Sequence, residues 1–273
     1  MRLNLRRQSD ITDMLMRPLG TLAALCCILS CLSCSVKEDR NGCPCRLVLD
    51  MSDVDTSIVK SAEIVVSSPD GFLFTGMHSF SGDADECVLD VPRGEVSVGV
   101  FYGASELINN DCSLIIPYGD ECPQIYMHSS VIMADGELER EYVHMYKNFC
   151  VMTLRVLTEE EFPFRLETRG CVDGYVRGGA PSDGDFAYTS LLDGESECVV
   201  RLPRQVDNSL KLEVNDGTEV LKTFALGEYL EACGYDWSED DLKDIIVTLD
   251  YSLTRIHLEV EEWKEEYVFD VVI

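Results

Sequence analysis

The stretch Leu210-Lys211-Leu212-Glu213-Val214-Asn215-Asp216-Gly217-Thr218-Glu219-Val220-Leu221-Lys222-Thr223-Phe224 decides the fold class. Two short runs, Leu210 to Val214 and Glu219 to Phe224, flank Asn215-Asp216-Gly217-Thr218. A primed hairpin turn needs positive φ, which Asn, Asp and Gly tolerate better than other residues, so the segment predicts an antiparallel hairpin.

Outward from that hairpin the chain is a succession of similar runs. Upstream lie Arg46 to Met51, Ser61 to Ser67, Gly71 to Thr75, Glu86 to Val91, Glu95 to Tyr102, Gln124 to His128, Glu139 to Met145, Phe149 to Leu157, Phe164 to Arg169 and Glu197 to Leu202. Downstream lie Ile245 to Tyr251, Arg255 to Glu261 and Tyr267 to Ile273. Ser68-Pro69-Asp70-Gly71, Pro92-Arg93-Gly94 and Asp135-Gly136 punctuate them with turn chemistry. Helix is scarce: Leu226 to Cys233, closed by Gly234, predicts one, and Ser238 with Asp241 three residues on predicts a capped second through Ile245. Many short strands at regular spacing predict an all-β chain of antiparallel β-sandwiches, and the length suits two better than one. A polar break at Tyr146 to Asn148 divides 34–147, an N-terminal sandwich with its tether, from 148–273, a C-terminal one.

Residues 1–33 read as a signal peptide. The apolar run Leu19 to Ser33, about 15 residues, is too short to span the roughly 30 Å hydrocarbon core as a helix but suits a signal peptide. It runs into Cys34, and Ser35-Val36-Lys37-Glu38-Asp39-Arg40 then turns polar. This is the pattern of a lipoprotein signal with Cys34 as lipid attachment site; Cys31, preceded by Ser30 and Ile28, is the competing acceptor. Diacylation gives the anchoring that one chain cannot, at about 0.8 kcal/mol per buried methylene. Met14 and Met16 stand as alternative starts.

Charge limits the partners. The formal net charge is −28, with 22 Lys and Arg against 50 Asp and Glu, and removal of a leader carrying Arg2, Arg6, Arg7 and Arg17 makes it more negative. Such a chain excludes nucleic acid and is repelled by anionic membrane surfaces, so attachment must come from the lipid. After Cys34 come Cys43, Cys45, Cys87, Cys112, Cys122, Cys150, Cys171, Cys198 and Cys233, an odd number that leaves a thiol unpaired unless a bridge joins two molecules. Cys112 and Cys122 close a short loop bearing Pro and Gly and form the candidate disulfide, while Cys43 or Cys45 is placed to staple the tether. Cys87, Cys150 and Cys198 lie in apolar strands, where a small buried hydrophobe is the ordinary role.

Catalytic patterns are missing: there is no Gly-x-Ser-x-Gly, His-Glu-x-x-His, P-loop or dinucleotide fingerprint, and His78, His128, His144 and His257 show no partner spacing. The chain reads as no enzyme, with no cofactor and no metal. Asp83, Asp85 and Glu86, or Asp236, Glu239, Asp240 and Asp241, gather acidic oxygens suited to calcium but lack the loop spacing of a calcium site, and a solvated acidic face explains them. Tyr235, Trp237 and Trp263 read either as a carbohydrate platform or, more ordinarily, as packing beneath a sheet.

The run Cys34 to Arg40 followed by Cys43-Pro44-Cys45 resembles the start of mature FimB-type (Mfa-like) fimbrial anchor lipoproteins of the Bacteroidales. Val91-Pro92-Arg93-Gly94 leading into Val96 to Gly103, Leu226-Gly227-Glu228-Tyr229-Leu230 with Gly234-Tyr235-Asp236-Trp237, and Trp263 before a terminal strand are similar too. The chain departs at Glu95 and Val96, where the family often has an aromatic after the turn. The resemblance implies two transthyretin-like Greek-key sandwiches and a lipid tether in the outer membrane, facing outward. It implies a place at the base of a fimbrium, anchoring and starting or limiting the shaft, with strand exchange to the shaft subunit as the partner contact. Lys37, Glu38 and Asp39 are similar to the acidic signal that sends such lipoproteins to the outer face, with a plain hydrophilic linker as the other reading.

Physics alone supports strand exchange as a mechanism, since a sheet edge exposes unpaired backbone groups that another extended segment can fill. The final segment puts Tyr267, Phe269, Val271 and Ile273 on one face and reads equally as a donor strand or as the last strand of its own sandwich. A glycan-binding surface lipoprotein and a calcium-dependent adhesin are the alternative functions.

Overall fold

The structure, a computed structural model, describes residues 42–80, 85–158, 164–192, 196–250, 255–260 and 267–270. The first strands are β1 (Cys45–Asp50), β2 (Ser61–Ser67), β3 (Leu73–Ser79), β4 (Glu86–Val91), β5 (Glu95–Tyr102), β6 (Leu114–Ile115), β7 (Tyr126–Met133), β8 (Leu138–Tyr142) and β9 (Tyr146–Lys147). They are followed by β10 (Phe149–Leu157), β11 (Arg165–Gly170), β12 (Gly174–Tyr175), β13 (Phe186–Leu191), β14 (Glu197–Pro203), β15 (Lys211–Asn215), β16 (Val220–Phe224), β17 (Ile245–Asp250), β18 (Arg255–Val260) and β19 (Tyr267–Asp270). A 3-10 turn at Ser105–Leu107 and one helix, α1 (Leu226–Cys233), complete the described elements. No helix among the described residues is long and apolar enough to cross a membrane.

The strands form two tandem sandwiches that repeat one topology. In the first, the sheet β4-β1-β8 faces β3-β2-β5-β7-β9; in the second, β14-β10-β17-β18-β19 faces β13-β11-β15-β16. Each opening strand, β1 or β10, pairs antiparallel with one neighbour and parallel with the other, β8 or β17. These two parallel ladders depart from the all-antiparallel expectation, because a strand can return beside the first only after the chain has crossed through the opposite sheet. The alternation that predicted the strands fills the cores. Leu47 and Leu49 of β1 meet Ile64 and Val66 of β2 and Val96, Val98 and Val100 of β5 in one cluster. Met152, Leu154 and Val156 of β10 meet Leu212, Val214, Val247 and Leu258 in the other.

The hairpin at Asn215 forms, with a wider loop than a two-residue primed turn. β15 and β16 pair Asn215 with Val220 after a register shift, and Gly217 at φ +91° supplies the positive φ. The turn is closed by Asp216, whose Oδ1 accepts from Thr218 Oγ1 at 2.6 Å, Thr218 N–H at 2.8 Å and Glu219 N–H at 3.0 Å. The Thr218 hydroxyl first, then these amides, pull the carboxyl down to about 2. A carboxyl depressed on folding contributes stability that is complete above the unfolded value and is lost as pH falls through the folded one. The Asp216 carboxyl is therefore expected to titrate near 2 by NMR, with hairpin stability declining between about pH 4 and pH 2. Asp216→Ala should remove that part of the pH dependence, and a normal titration midpoint would disprove the cap.

The helix ends as expected: Gly234 at φ +81° lets Tyr235 N–H return to the Leu230 carbonyl at 2.9 Å. The second expected helix, from Ser238, is absent, and turns occupy Trp237 to Asp241. Asp236 Oδ1 takes the Ser238 N–H at 2.8 Å and its hydroxyl at 2.7 Å. The carbonyls a helix would need are held instead by Arg204: Nη1 donates to Trp237 O and, at 2.6 Å, to Glu239 O, and Nη2 to Asp240 O at 3.0 Å.

Cys43–Ile273 is one compact unit, because the two sandwiches share packing. The long link after β5 carries Cys112, Leu114, Ile116, Cys122 and Ile125 into the cluster of the second sandwich, together with Val65 and Phe101 from the outer face of the first. β6 in that link pairs antiparallel with β12. Tyr175 of β12 is 1% exposed; its hydroxyl donates to Asn148 O and accepts from Arg204 N–H at 3.1 Å. Arg177 to Glu95 at 2.9 Å and Lys147 to Asp244 at 2.7 Å add ion pairs across the joint.

Candidate functional site

Strand edges are the first candidate. β19 closes the larger sheet of the second sandwich, antiparallel to β18, with Phe269 opposite Ile256 and Tyr267 opposite Leu258. Tyr267 and Phe269 pack against the core, Phe269 stacking on Tyr229 of α1 at 4.7 Å, while Val268 is 53% exposed. Tyr267 and Phe269 thus sit in the last strand of their own sandwich, and its outer side has no strand partner among the described residues. Val271 and Ile273 lie outside the described residues.

The repeated topology identifies a second edge. β8 occupies in the first sandwich the position of β17, yet β17 is covered by β18 whereas β8 ends its sheet. Where β17 turns Ile245, Val247 and Leu249 inward, β8 places Glu139 and Glu141 opposite inward-facing Leu47 and Leu49. Inward charges of this kind discourage edge pairing. Glu141 is satisfied by His128 of β7: its Oε1 lies 3.0 Å from Nε2, and His144 N–H occupies Nδ1 at 3.3 Å, so the ring proton sits on Nε2. The His128 hydrogen bond holds the Glu141 carboxyl below the usual range against its burial. On the opposite flank, Phe74 of β3, Cys87 and Leu89 of β4 and Phe80 are only partly buried against the same core. That flank is apolar and less guarded.

The expected Cys112–Cys122 bridge is not formed. All nine cysteines among the described residues are free thiols. Cys112 Sγ donates to Val65 O at 3.3 Å and Cys122 Sγ to Pro123 O at 3.4 Å. Both are core side chains, and burial pushes the thiols up, Cys112 to about 11 and Cys150 to about 12, so they stay protonated. Cys43 is exposed. Cys31, Cys34, Lys37, Glu38 and Asp39 lie outside the described residues, as do Asp83 and Trp263.

A third candidate is a cleft of about 540 Å³ between the Arg204–Asn208 loop, α1 and the Tyr235–Ser238 loop. Trp237 lines it, partly buried against the core and edge-on to Tyr235 at 4.7 Å. Gly227 of α1 packs so closely that an added Cβ would stand 2.2 Å from Asn208 O, which explains a glycine in the first turn. Asp207, Asn208, Glu231 and Asp236 stand around the indole. Hydrogen bonds from Ser209 to Asp207, and from Ser238 to Asp236, hold both carboxyls below the usual range and therefore charged at neutral pH. The sequence singled out Tyr235, Trp237 and Asp236 but neither Arg204, Asp207, Asn208 nor Glu231, which come from separate elements and form no local motif. The acidic residues assemble no group of three or more metal ligands among the described residues.

These features define an all-β protein of two tandem sandwiches, with strand edges unpaired among the described residues and a polar, aromatic cleft. In three dimensions it is similar to a candidate polysaccharide-binding protein of Bacteroides thetaiotaomicron, at 13% identity and TM-score 0.56 over 84% of this chain and 98% of that one. It is also similar to the fimbrial anchor protein Mfa2 of Porphyromonas gingivalis, at 10% identity and TM-score 0.54 over 81% and 98%. A candidate adhesin of Bacteroides ovatus follows, at 14% identity and TM-score 0.51 over 82% and 95%. At such identities the likeness establishes the fold alone. No family model and no curated protein matches the sequence.

Proposed function

We propose that the chain is an outer-membrane lipoprotein, displayed at the cell surface, that anchors a fimbrium and starts or limits its growth by exchanging a strand with the shaft subunit. The observation that carries this reading is the fold itself, shared over nearly the whole length of a fimbrial anchor protein, with an edge strand, β19, that has no partner on its outer side among the described residues. Cys34 holds the lipid and Lys37, Glu38 and Asp39 direct it outward; 34–147 comprise the lipidated tether and the sandwich nearer the membrane, and 148–273 the sandwich beyond. The shared core and the β6–β12 ladder favour a rigid base, suited to holding a polymer under load.

Deleting the gene is expected to release fimbriae into the medium or change their length, scored by electron microscopy and by fimbrial protein in cell-free supernatant. Cys34→Ala should abolish acyl labelling and reproduce the release. Unchanged attachment in the deletion strain would defeat the anchor reading, and persistent labelling of Cys34→Ala would move the acceptor to Cys31.

A further inference from the structure

The cleft beside Trp237 combines three properties. Its wall is an indole, fixed because the Trp237 carbonyl is gripped by Arg204 and the ring is braced by Tyr235. Its rim is a set of acceptors, each preorganised through one oxygen. Asp207 Oδ1 takes Ser209 N–H at 2.9 Å and the Cys171 thiol at 3.2 Å, Glu231 Oε2 takes Asn208 Nδ2 at 2.7 Å, and Asp236 Oδ1 takes the Ser238 N–H and hydroxyl. The second oxygen of each carboxylate receives no donor among the described residues. Its cation is diverted: the Arg204 guanidinium donates to backbone carbonyls and to Asn148 Oδ1 at 3.4 Å, not to the carboxylates.

A cleft of this size, with an aromatic wall and a few converging polar groups, has the makings of a small-ligand site. A ligand that suits it must bring an apolar face for the ring and several donors for the acceptors, and must carry no negative charge into a cleft bordered by three carboxylates. A sugar ring meets the first two demands with its C–H face and hydroxyls. We infer that this cleft is a carbohydrate subsite that takes neutral or amino sugars and rejects uronic, sialylated and sulfated ones. The inference is separate from the anchor reading, since no residue lining the cleft belongs to β19.

The test is a glycan array probed with the purified full chain, followed by anisotropy titration of the best-retained glycan. Neutral or amino glycans should dominate. The double variant Asn208→Ala, Glu231→Ala, at exposed positions whose side chains bond each other, should weaken binding about tenfold or more while leaving the melting temperature in place. Trp237→Ala should abolish binding, and if that variant misfolds the double variant still decides. No retained glycan, a preference for acidic glycans, or undiminished binding by the double variant would each overturn the inference. Fimbrial attachment should be normal in a strain carrying the double variant, which separates this failure from failure of the anchor reading.

Discussion

Tyr175→Ala is expected to destabilise the protein by about 4–5 kcal/mol, near the upper limit for a single substitution. The ring is fully buried in the core shared by the two sandwiches, on β12, the strand that pairs with the link from the first sandwich. Truncation leaves a cavity there and strips the Asn148 carbonyl and the Arg204 N–H of their common partner. Tyr175→Phe keeps the volume and isolates the polar share, about 1–3 kcal/mol for two buried groups left unpaired. Because the core of the second sandwich takes in Val65 and Phe101 of the first and the link between them, the wild type should unfold in urea as a single transition. Tyr175→Ala should split it in two, as the sandwiches lose the side chain that ties them. A single transition within 1 kcal/mol of wild type, taking about 1 kcal/mol as the scale of an unremarkable substitution, would show that the joint does not depend on this residue.

How much of this was legible in the sequence follows from the range of the interactions. Strand existence was readable wherever one face is apolar: β2, β4, β5 and β10 match their expected bounds to the residue. β13 was missed because Phe186-Ala187-Tyr188-Thr189-Ser190-Leu191 mixes polar and apolar residues without clean alternation, its burial set by β11 and by packing beyond its own period. The edge β8 was seen as a strand, but its inward Glu139 and Glu141 gain meaning only once His128 is beside them. The two-residue strands β6, β9 and β12 carry no periodic signal of their own; β6 and β12 form by pairing with each other and β9 by pairing with β7. The cysteine reading failed for a related reason. Loop closure made Cys112 and Cys122 plausible partners, yet Cys112 turns toward β2, its backbone at φ +65°, and the two thiols bond to different carbonyls. In the cleft, local sequence supplied the aromatics, while the residue that shapes the loop comes from the end of β14.

That residue yields the second large effect. Arg204→Met is expected to cost about 3 kcal/mol, because it removes several charge-assisted hydrogen bonds at once and leaves three converging carbonyls with only water or one another. The guanidinium is partly exposed, so the loss falls short of that for a fully buried network. Arg204→Lys separates charge from geometry: a lysine keeps the positive charge but cannot present a planar fork to carbonyls of Trp237, Glu239 and Asp240 together. The lysine variant should therefore recover less than half of the loss. The local readout is Trp237 emission in a Trp263→Phe background, which should shift to the red as the loop loosens and the indole gains water. Wild-type stability and unshifted emission in Arg204→Lys would mean that the turns at Trp237 to Asp241 are set by Asp236 and Ser238 alone. If the shift occurs, the same substitution should weaken the cleft toward sugars although Arg204 donates to none of its three carboxylates, since its part is to hold the indole against them.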